Sequence, residues 1–388
     1  MLFFAETVSV MQNPFFITGA IPETYFCDRE VETRKIVTIL ENQGNILLSS
    51  PRRMGKTQLI RHVYEQPAIK DRYYTFYVDI FPTTSLHELV LFLSKAIYSI
   101  LVPRGKSALD YFLSFIKSLA GSFGYDPLTG SPTFDIKMGD IHSPELTLKE
   151  IFDYLEQADR PCIFAIDEFQ QIASYPQKNV EALLRSYIQP LNNCHFIYSG
   201  SNRHLLENMF LSSAQPFYNS AEQIYLGTIP RDRYIPFIER CFREVGREIS
   251  PDAAGYAYDL FEGHTYYVHN LMHNAFAYLD AREPVTAHDI RTVLQGMLED
   301  RTPSFNGRMN QLNYQQKEVL VAIAKEGKAT GVTSVAFVRR HALQSPSSVQ
   351  YALKQLLEKR FLTFETEGKR KIYAVEDRFF ALWINQVY

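Results

Sequence analysis

A mostly apolar run, residues 45–49, leads straight into Ser50-Pro51-Arg52-Arg53-Met54-Gly55-Lys56-Thr57. A helical pattern follows, with Leu59, Ile60 and Val63 on one face. Strand, loop and helix in this order constrain the chain more than any other stretch. A loop that opens a helix in this way aims backbone N–H groups and the positive end of the helix dipole at one spot. Such a spot holds phosphate. Lys56 is then placed to reach the β- and γ-phosphates, and Thr57 to ligate magnesium. The full pattern G-x-x-x-x-G-K-[ST] is not met, because Ser50 stands at the first glycine.

A second apolar run, residues 161–166, ends in Asp167-Glu168. Its unbroken hydrophobicity predicts a strand buried on both faces, as in a parallel sheet. Adjacent carboxylates at the C-terminal edge of such a sheet lie where open α/β folds bind ligands. Asp167 is expected to orient the magnesium ion or its waters, and Glu168 to polarise an attacking water as general base. The next strand, 195–198, runs into Ser199-Gly200-Ser201-Asn202. Ser201 or Asn202 is expected to contact the γ-phosphate or that water.

Further strands are predicted at 73–79 and 223–226. Ser85 with Glu88, and Thr147 with Glu150, read as capping boxes that open helices. Another helix is predicted near 178–190. Strands alternating with helices imply an α/β fold with a doubly wound parallel sheet. Glycines and prolines interrupt residues 103–146, which read as an insertion with one helix (about 107–120) and a long loop. Residues 231–298 carry four helical patterns, near 231–245, 251–262, 265–281 and 287–298. Helices at 314–325 and 335–341, a third opened by Ser345-Pro346, and a hairpin around Glu367-Gly368-Lys369 describe a winged helix-turn-helix. At 388 residues the chain is too long for one core. The expected order is a leader (1–12), an α/β core (13–229), a helical lid (230–300), a linker (301–312) and a winged helix (313–388).

Hydrophobic residues at 46% and charged residues at 21% exclude a disordered, collagen-like or simple coiled-coil chain. The net charge of −3 excludes a bulk polycation. Residues 313–388 nevertheless carry 12 bases against 7 acids. Ser347, Ser348, Gln350, Tyr351 and Lys354 would face outward from the third helix, and Lys369, Arg370 and Lys371 would sit on the wing. That set suits phosphate and base-edge contacts, so double-stranded DNA is a candidate partner of 313–388. A protein partner or a homo-oligomer is the alternative. Four widely spaced cysteines offer no zinc or disulfide framework and fit a cytoplasmic chain. No run of 18 apolar residues predicts a membrane span. His269 and His273 stand four apart, but Asn270 breaks the H-E-x-x-H pattern.

Several stretches together resemble the AAA+ superfamily, in particular the archaeal-type ATPases related to STAND signalling ATPases and to the origin-initiator branch. Phe26-Cys27-Asp28-Arg29-Glu30 resembles that family's F-x-x-R-E box, residues 50–57 its phosphate loop, and Ile166-Asp167-Glu168-Phe169-Gln170 its Walker B strand. Ser199-Gly200-Ser201 is similar to its first sensor, and residues 377–383 to its ending after the winged helix. The resemblance spans residues 13–383. It implies a P-loop NTPase core with lid and winged helix, with ATP/ADP and Mg2+ as cofactors. It also implies hydrolysis of ATP as a switch that repositions the winged helix. Ser50, Pro51, Arg52, Arg53, Met54, Gly55, Lys56, Thr57 and Gln58 would line the nucleotide, with Asp28 and Arg29 beside the adenine. The family's lid carries G-x-P; here Gly263-His264-Thr265 lacks the proline, and His264 is the substitute contact. Arg185, Arg203, Arg231 and Arg233 are candidates by position for an arginine finger, and none is assigned. Two other functions fit the same motifs: a DNA-binding regulator with a structural nucleotide site, and a signalling or defence scaffold that assembles on ATP.

Overall fold

Five strands account for the α/β part of the chain: β1 (Ile46–Ser49), β2 (Tyr74–Asp79), β3 (Cys162–Asp167), β4 (Cys194–Gly200) and β5 (Glu222–Tyr225). They form one sheet in the order β2-β3-β4-β1-β5, with every pair parallel. The computed structural model describes residues 13–101, 104, 106–118, 123–125, 132–134, 141–279, 283–368 and 370–388. The predicted leader (1–12), Lys369 and much of the 103–146 insertion lie outside the described residues.

β3 and β4 are buried at every residue, as their continuous apolar sequences require. Alternate residues of β1 serve opposite faces. Ile46 and Leu48 pack with Ile36, Leu40, Leu59, Ile60 and Val63 of helices Glu30–Glu41 and Lys56–Tyr64. Leu47 joins the other face, where helices Leu86–Leu101, Pro144–Gln157 and Val180–Ile188 cover Phe76, Phe164 and Phe196. The chain leaves β1 past two strands to β2, returns through β3 and β4, then steps over β1 to β5. The strand order therefore reverses at β1, and a crevice forms outside its carboxyl end. The loop 50–55 sits there.

Some local expectations shift. The helix expected from Thr147 begins one turn earlier, at Pro144, with Ser143 as N-cap. Glu150 does not close a capping box; its carboxylate accepts from the Ser118 amide and hydroxyl. Within the insertion, the helix is Lys106–Phe115, and Phe123–Tyr125 pairs antiparallel with Pro132–Phe134.

Compactness divides the described chain into Thr18–Ile229 and a second unit of Pro230–Tyr388 with residues 13–17. Residues 13–17, expected in the α/β core, group with the second unit by this measure. Phe15 is fully buried among Phe242, His269 and Phe276, and Asn13 donates to the His273 carbonyl. The second unit has helices Arg231–Glu244, Pro251–Leu260, Thr265–Tyr278 and Ala287–Met309. The last runs through the expected linker, with Pro303 inside it. Proline removes one helical hydrogen bond, but Phe305 and Met309 beyond it are buried, and Thr302 accepts from the Trp383 indole at 3.0 Å. Packing outweighs the breaker.

The winged helix follows: helices Tyr314–Glu326, Val335–Arg340 and Pro346–Glu358, then antiparallel strands Leu362–Glu367 and Arg370–Val375. A short third strand, Ala329–Thr330, pairs with the second wing strand. A final helix, Arg378–Val387, is N-capped by Asp377, whose carboxylate accepts from two amides.

Candidate functional site

Backbone geometry first makes the loop. Arg53 and Gly55 both take left-handed φ values, 67° and 94°, and Gly55 is the N-cap of helix Lys56–Tyr64. Lys56 is 6% exposed. Its Nζ reaches back to the Ser50 carbonyl and hydroxyl at 3.3 and 3.2 Å and to the Pro51 carbonyl at 3.4 Å. Ser50, the departure from glycine, is fully buried, and its hydroxyl helps tether the lysine. Burial lowers the Lys56 pKa, while the nearby Asp167 and Glu168 carboxylates act in the opposite direction. Arg52 lies over the Phe81 ring at 5.2 Å. Gln58 donates to the Gly19 carbonyl at 2.8 Å.

Asp167 ends β3 and collects donors from four directions. Thr57 Oγ1 and the Tyr77 hydroxyl donate to Oδ2 at 3.1 and 2.7 Å. Ser199 Oγ and the Glu168 amide donate to Oδ1 at 2.8 and 3.0 Å. This links the phosphate-loop helix to three strands. Tyr77 was not foreseen, and Ser199 was named only within the first-sensor stretch, without this contact. Tyr77 pairs with Ala165 across β2 and β3, so it shares a face with Asp167 two residues on. Sheet order alone would have exposed it. Burial and the Asp167 charge raise the Tyr77 pKa, so its hydroxyl stays protonated and keeps donating.

Glu168 takes a left-handed φ of 55°. Ser201 Oγ donates to Glu168 Oε2 at 2.8 Å. Asn202 points elsewhere. Its carboxamide oxygen accepts from the Leu205 amide at 3.1 Å and caps helix Arg203–Leu211. Of the two expected residues, the structure brings Ser201 to the carboxylate and commits Asn202 to the cap.

Arg29 is buried, donating to the Gly227 carbonyl at 2.6 Å and to Glu32 at 2.8 Å. It ties the 26–30 segment to the loop after β5. Asp28 beside it has a pKa raised by burial and then by Glu30. Phe26 stacks on His62 of the phosphate-loop helix at 4.1 Å.

His264 belongs to the second unit. Its Nε2 lies 2.7 Å from Arg378 Nη2. A guanidinium only donates, so Nε2 is the acceptor and the proton sits on Nδ1, which is buried without a partner among the described residues. Burial first, then Arg378, lowers the His264 pKa to about 4. In this structure the neutral imidazole is held by Arg378. His269 Nδ1 meets the Tyr234 hydroxyl, and His273 Nδ1 meets the Phe15 carbonyl. Among the described residues no group of three or more His, Cys, Asp or Glu side chains could hold a metal ion. No helix among them is long and apolar enough to cross a membrane. Of the four arginines considered for a finger, Arg203 pairs with Glu207 and Arg231 with Asp259.

A family model described as an ATPase domain predominantly from Archaea matches residues 26–271. Another, described as a probable winged helix domain, matches residues 303–386. The chain is similar to the uncharacterized ATP-binding protein MJ1659 of Methanocaldococcus jannaschii, at 26% identity over 220 residues. That stretch covers 54% of this chain and 57% of the relative, little more than half of its length. Among solved structures, the Walker-type ATPase PABY2304 of Pyrococcus abyssi has a TM-score of 0.64 at 19% identity, covering 96% of this chain and 99% of that one. The Aeropyrum pernix ORC2 protein in ADPNP–ADP complexes gives 0.57 at 15% identity, with 97% of both chains covered. At these identities the likeness is one of fold.

Proposed function

The chain belongs to the family of ATPase domains found predominantly in Archaea, and on that premise we propose that it binds ATP with magnesium and hydrolyses it. One observation carries the proposal: Thr57 Oγ1 and Asp167 Oδ2 stand 3.1 Å apart beside the buried Lys56 amine. A hydroxyl and a carboxylate are hard oxygen donors. They suit magnesium, which keeps waters and phosphate oxygens as its other ligands and needs no all-protein cage. Thr57 and Asp167 would hold the ion, which when bound would neutralise charge on the β- and γ-phosphates.

The remaining work falls to the chain. Backbone N–H groups of residues 52–55 and the N-terminus of the following helix cradle the phosphates. Lys56 exchanges its carbonyl and hydroxyl partners for phosphate oxygens and regains a full counter-charge. Asp167 is fixed by its four donors. Glu168 orients the water and takes its proton as the bond to the γ-phosphorus forms and the bond to ADP breaks.

The winged helix is the output in this proposal, with duplex DNA as its ligand. Ser347, Gln350, Tyr351 and Lys354 are exposed along helix Pro346–Glu358, and Arg370 and Lys371 are exposed on the wing. Arg378, Tyr267 and Trp383 tie this domain to the helices of its own unit. It therefore moves with them as one body, and a nucleotide that favours one position of that body repositions the DNA-binding face. In the test, Lys56→Ala abolishes binding of a fluorescent ATP analogue, while Glu168→Gln keeps binding and loses turnover. Unchanged binding in the Lys56 variant refutes the assigned site.

A further inference from the structure

The turn after β3 carries a side chain that returns to the carboxylate of Glu168. Phe169 is fully buried against Tyr198, Phe210 and Phe217, and anchors the 3-10 turn Phe169–Ser174. With Glu168 in the left-handed region, that turn folds Gln170 back. Its Nε2 donates to Glu168 Oε2. Only the amide NH2 can face a carboxylate, so the orientation of the carboxamide is fixed by chemistry. Ser201 Oγ donates to the same oxygen from the end of β4. The other oxygen, Oε1, has no hydrogen-bond partner among the described residues.

The far side of the carboxamide is equally telling. Gln170 Oε1 is buried and has no hydrogen-bond partner among the described residues. It lies against Gly200: a Cβ built there would stand 2.0 Å from Gln170 Oε1. A side chain at position 200 would evict the carboxamide. Gly200 is therefore what lets Gln170 reach across the end of β4 and grip the carboxylate.

We propose that Gln170 is a positioning residue for the hydrolytic base, admitted by Gly200. Together with Ser201 it pins Oε2, and so leaves Oε1 as the oxygen that takes the proton. The step balances. Water oxygen bonds to the γ-phosphorus, the bond from that phosphorus to the ADP oxygen breaks, and one water proton passes to Oε1. That proton is later released to solvent, and the products are ADP and phosphate. The inference rests on the hydrolytic function proposed above and adds the residue that orients its base. Two donors on one oxygen restrict the carboxylate's rotation, and misplacement of a reacting group by about 1 Å can cost roughly a hundredfold in rate.

Two variants remove the grip from opposite sides: Gln170→Leu deletes the donor, and Gly200→Ala blocks its approach. Each is expected to lower kcat for ATP on the order of ten- to a hundredfold, with KM and nucleotide Kd changed by no more than about twofold. A residue that acts only through Glu168 has nothing left to do once that carboxylate is gone. Gln170→Leu added to Glu168→Gln should therefore leave the residual rate unchanged. A wild-type kcat in Gln170→Leu overturns the inference. So does an equal further loss in the Glu168→Gln background, or a fall in nucleotide affinity that matches the fall in rate. Gly200→Ala is a strand substitution; if it fails to fold, Gln170→Leu with the double variant still decides. If the parent protein is no faster than Glu168→Gln, the hydrolytic function itself fails, and this inference with it.

Discussion

Replacing Arg378 by alanine should loosen the winged helix from the helices beside it. The guanidinium donates to His264 at 2.7 Å and to Glu262 at 3.1 Å, and its side chain is 25% exposed. The Glu262 arm is worth little. That carboxylate is 44% exposed and keeps Lys328 at 3.0 Å, so a surface value below about 1 kcal/mol applies. The His264 arm is half-buried and charge-assisted, worth roughly 1.5–3 kcal/mol, and its loss strands the Nε2 lone pair. Against this, Arg378 is the first residue of helix Arg378–Val387, where a positive charge opposes the helix dipole. Its removal returns about 0.3–1 kcal/mol. The balance is a destabilisation of about 2 kcal/mol. For a unit of this size that corresponds to a fall of roughly 4–8 °C in the melting temperature. Calorimetry of the full chain measures it. Proton NMR of His264 gives a second readout, because removing the neighbouring cation should let the histidine titrate higher. Melting within about 1 °C of the parent, with an unmoved His264 titration, would refute the latch.

Two further outcomes concern the same unit. Phe15→Ala removes a fully buried ring from between Phe242, His269 and Phe276. It should cost about 3–5 kcal/mol in urea unfolding; a loss below about 1 kcal/mol would place residues 13–17 outside that core. The second outcome is pH dependence. His264 and His269 are both held down to about 4, chiefly by burial, with Arg378 assisting at the first and His273 at the second. Unfolded histidine titrates near 6.5. Between those values the unfolded chain binds more protons, so stability rises with pH across the window. It is fully present above about pH 6.5 and is lost as pH falls toward 4. Thermal melts at pH 7.5 and 5 should show the drop, and His269→Leu should make it shallower than in the parent.

The features legible in the sequence are those with local causes. The loop at 50–57 and the carboxylate pair at 167–168 announced themselves by apolar runs that end in polar residues. Strand and helix periods carried the alternation of the core and the three helices of the winged domain. The misses are long-range. Thr147 with Glu150 looked like a cap, but Pro144 takes the first turn of the helix after Ser143 as N-cap, and Ser118 captured Glu150. Residues 301–312 looked like a linker, but the burial of Phe305 and Met309 kept the helix going. Ser201 and Asn202 are neighbours with similar chemistry. Which one serves the carboxylate depended on which the following helix needed as a cap. Tyr77 and Ser199 required the order of the strands, which no local pattern states.

The most direct test of the central claim is phosphate release from ATP and magnesium by the purified chain, with and without duplex DNA, using Glu168→Gln as the blank. The proposed switch predicts turnover above that blank, and a further rise with DNA. Turnover indifferent to DNA would contradict the role given to the winged helix while sparing the active site. A parent protein no faster than Glu168→Gln would contradict the hydrolytic assignment of Glu168.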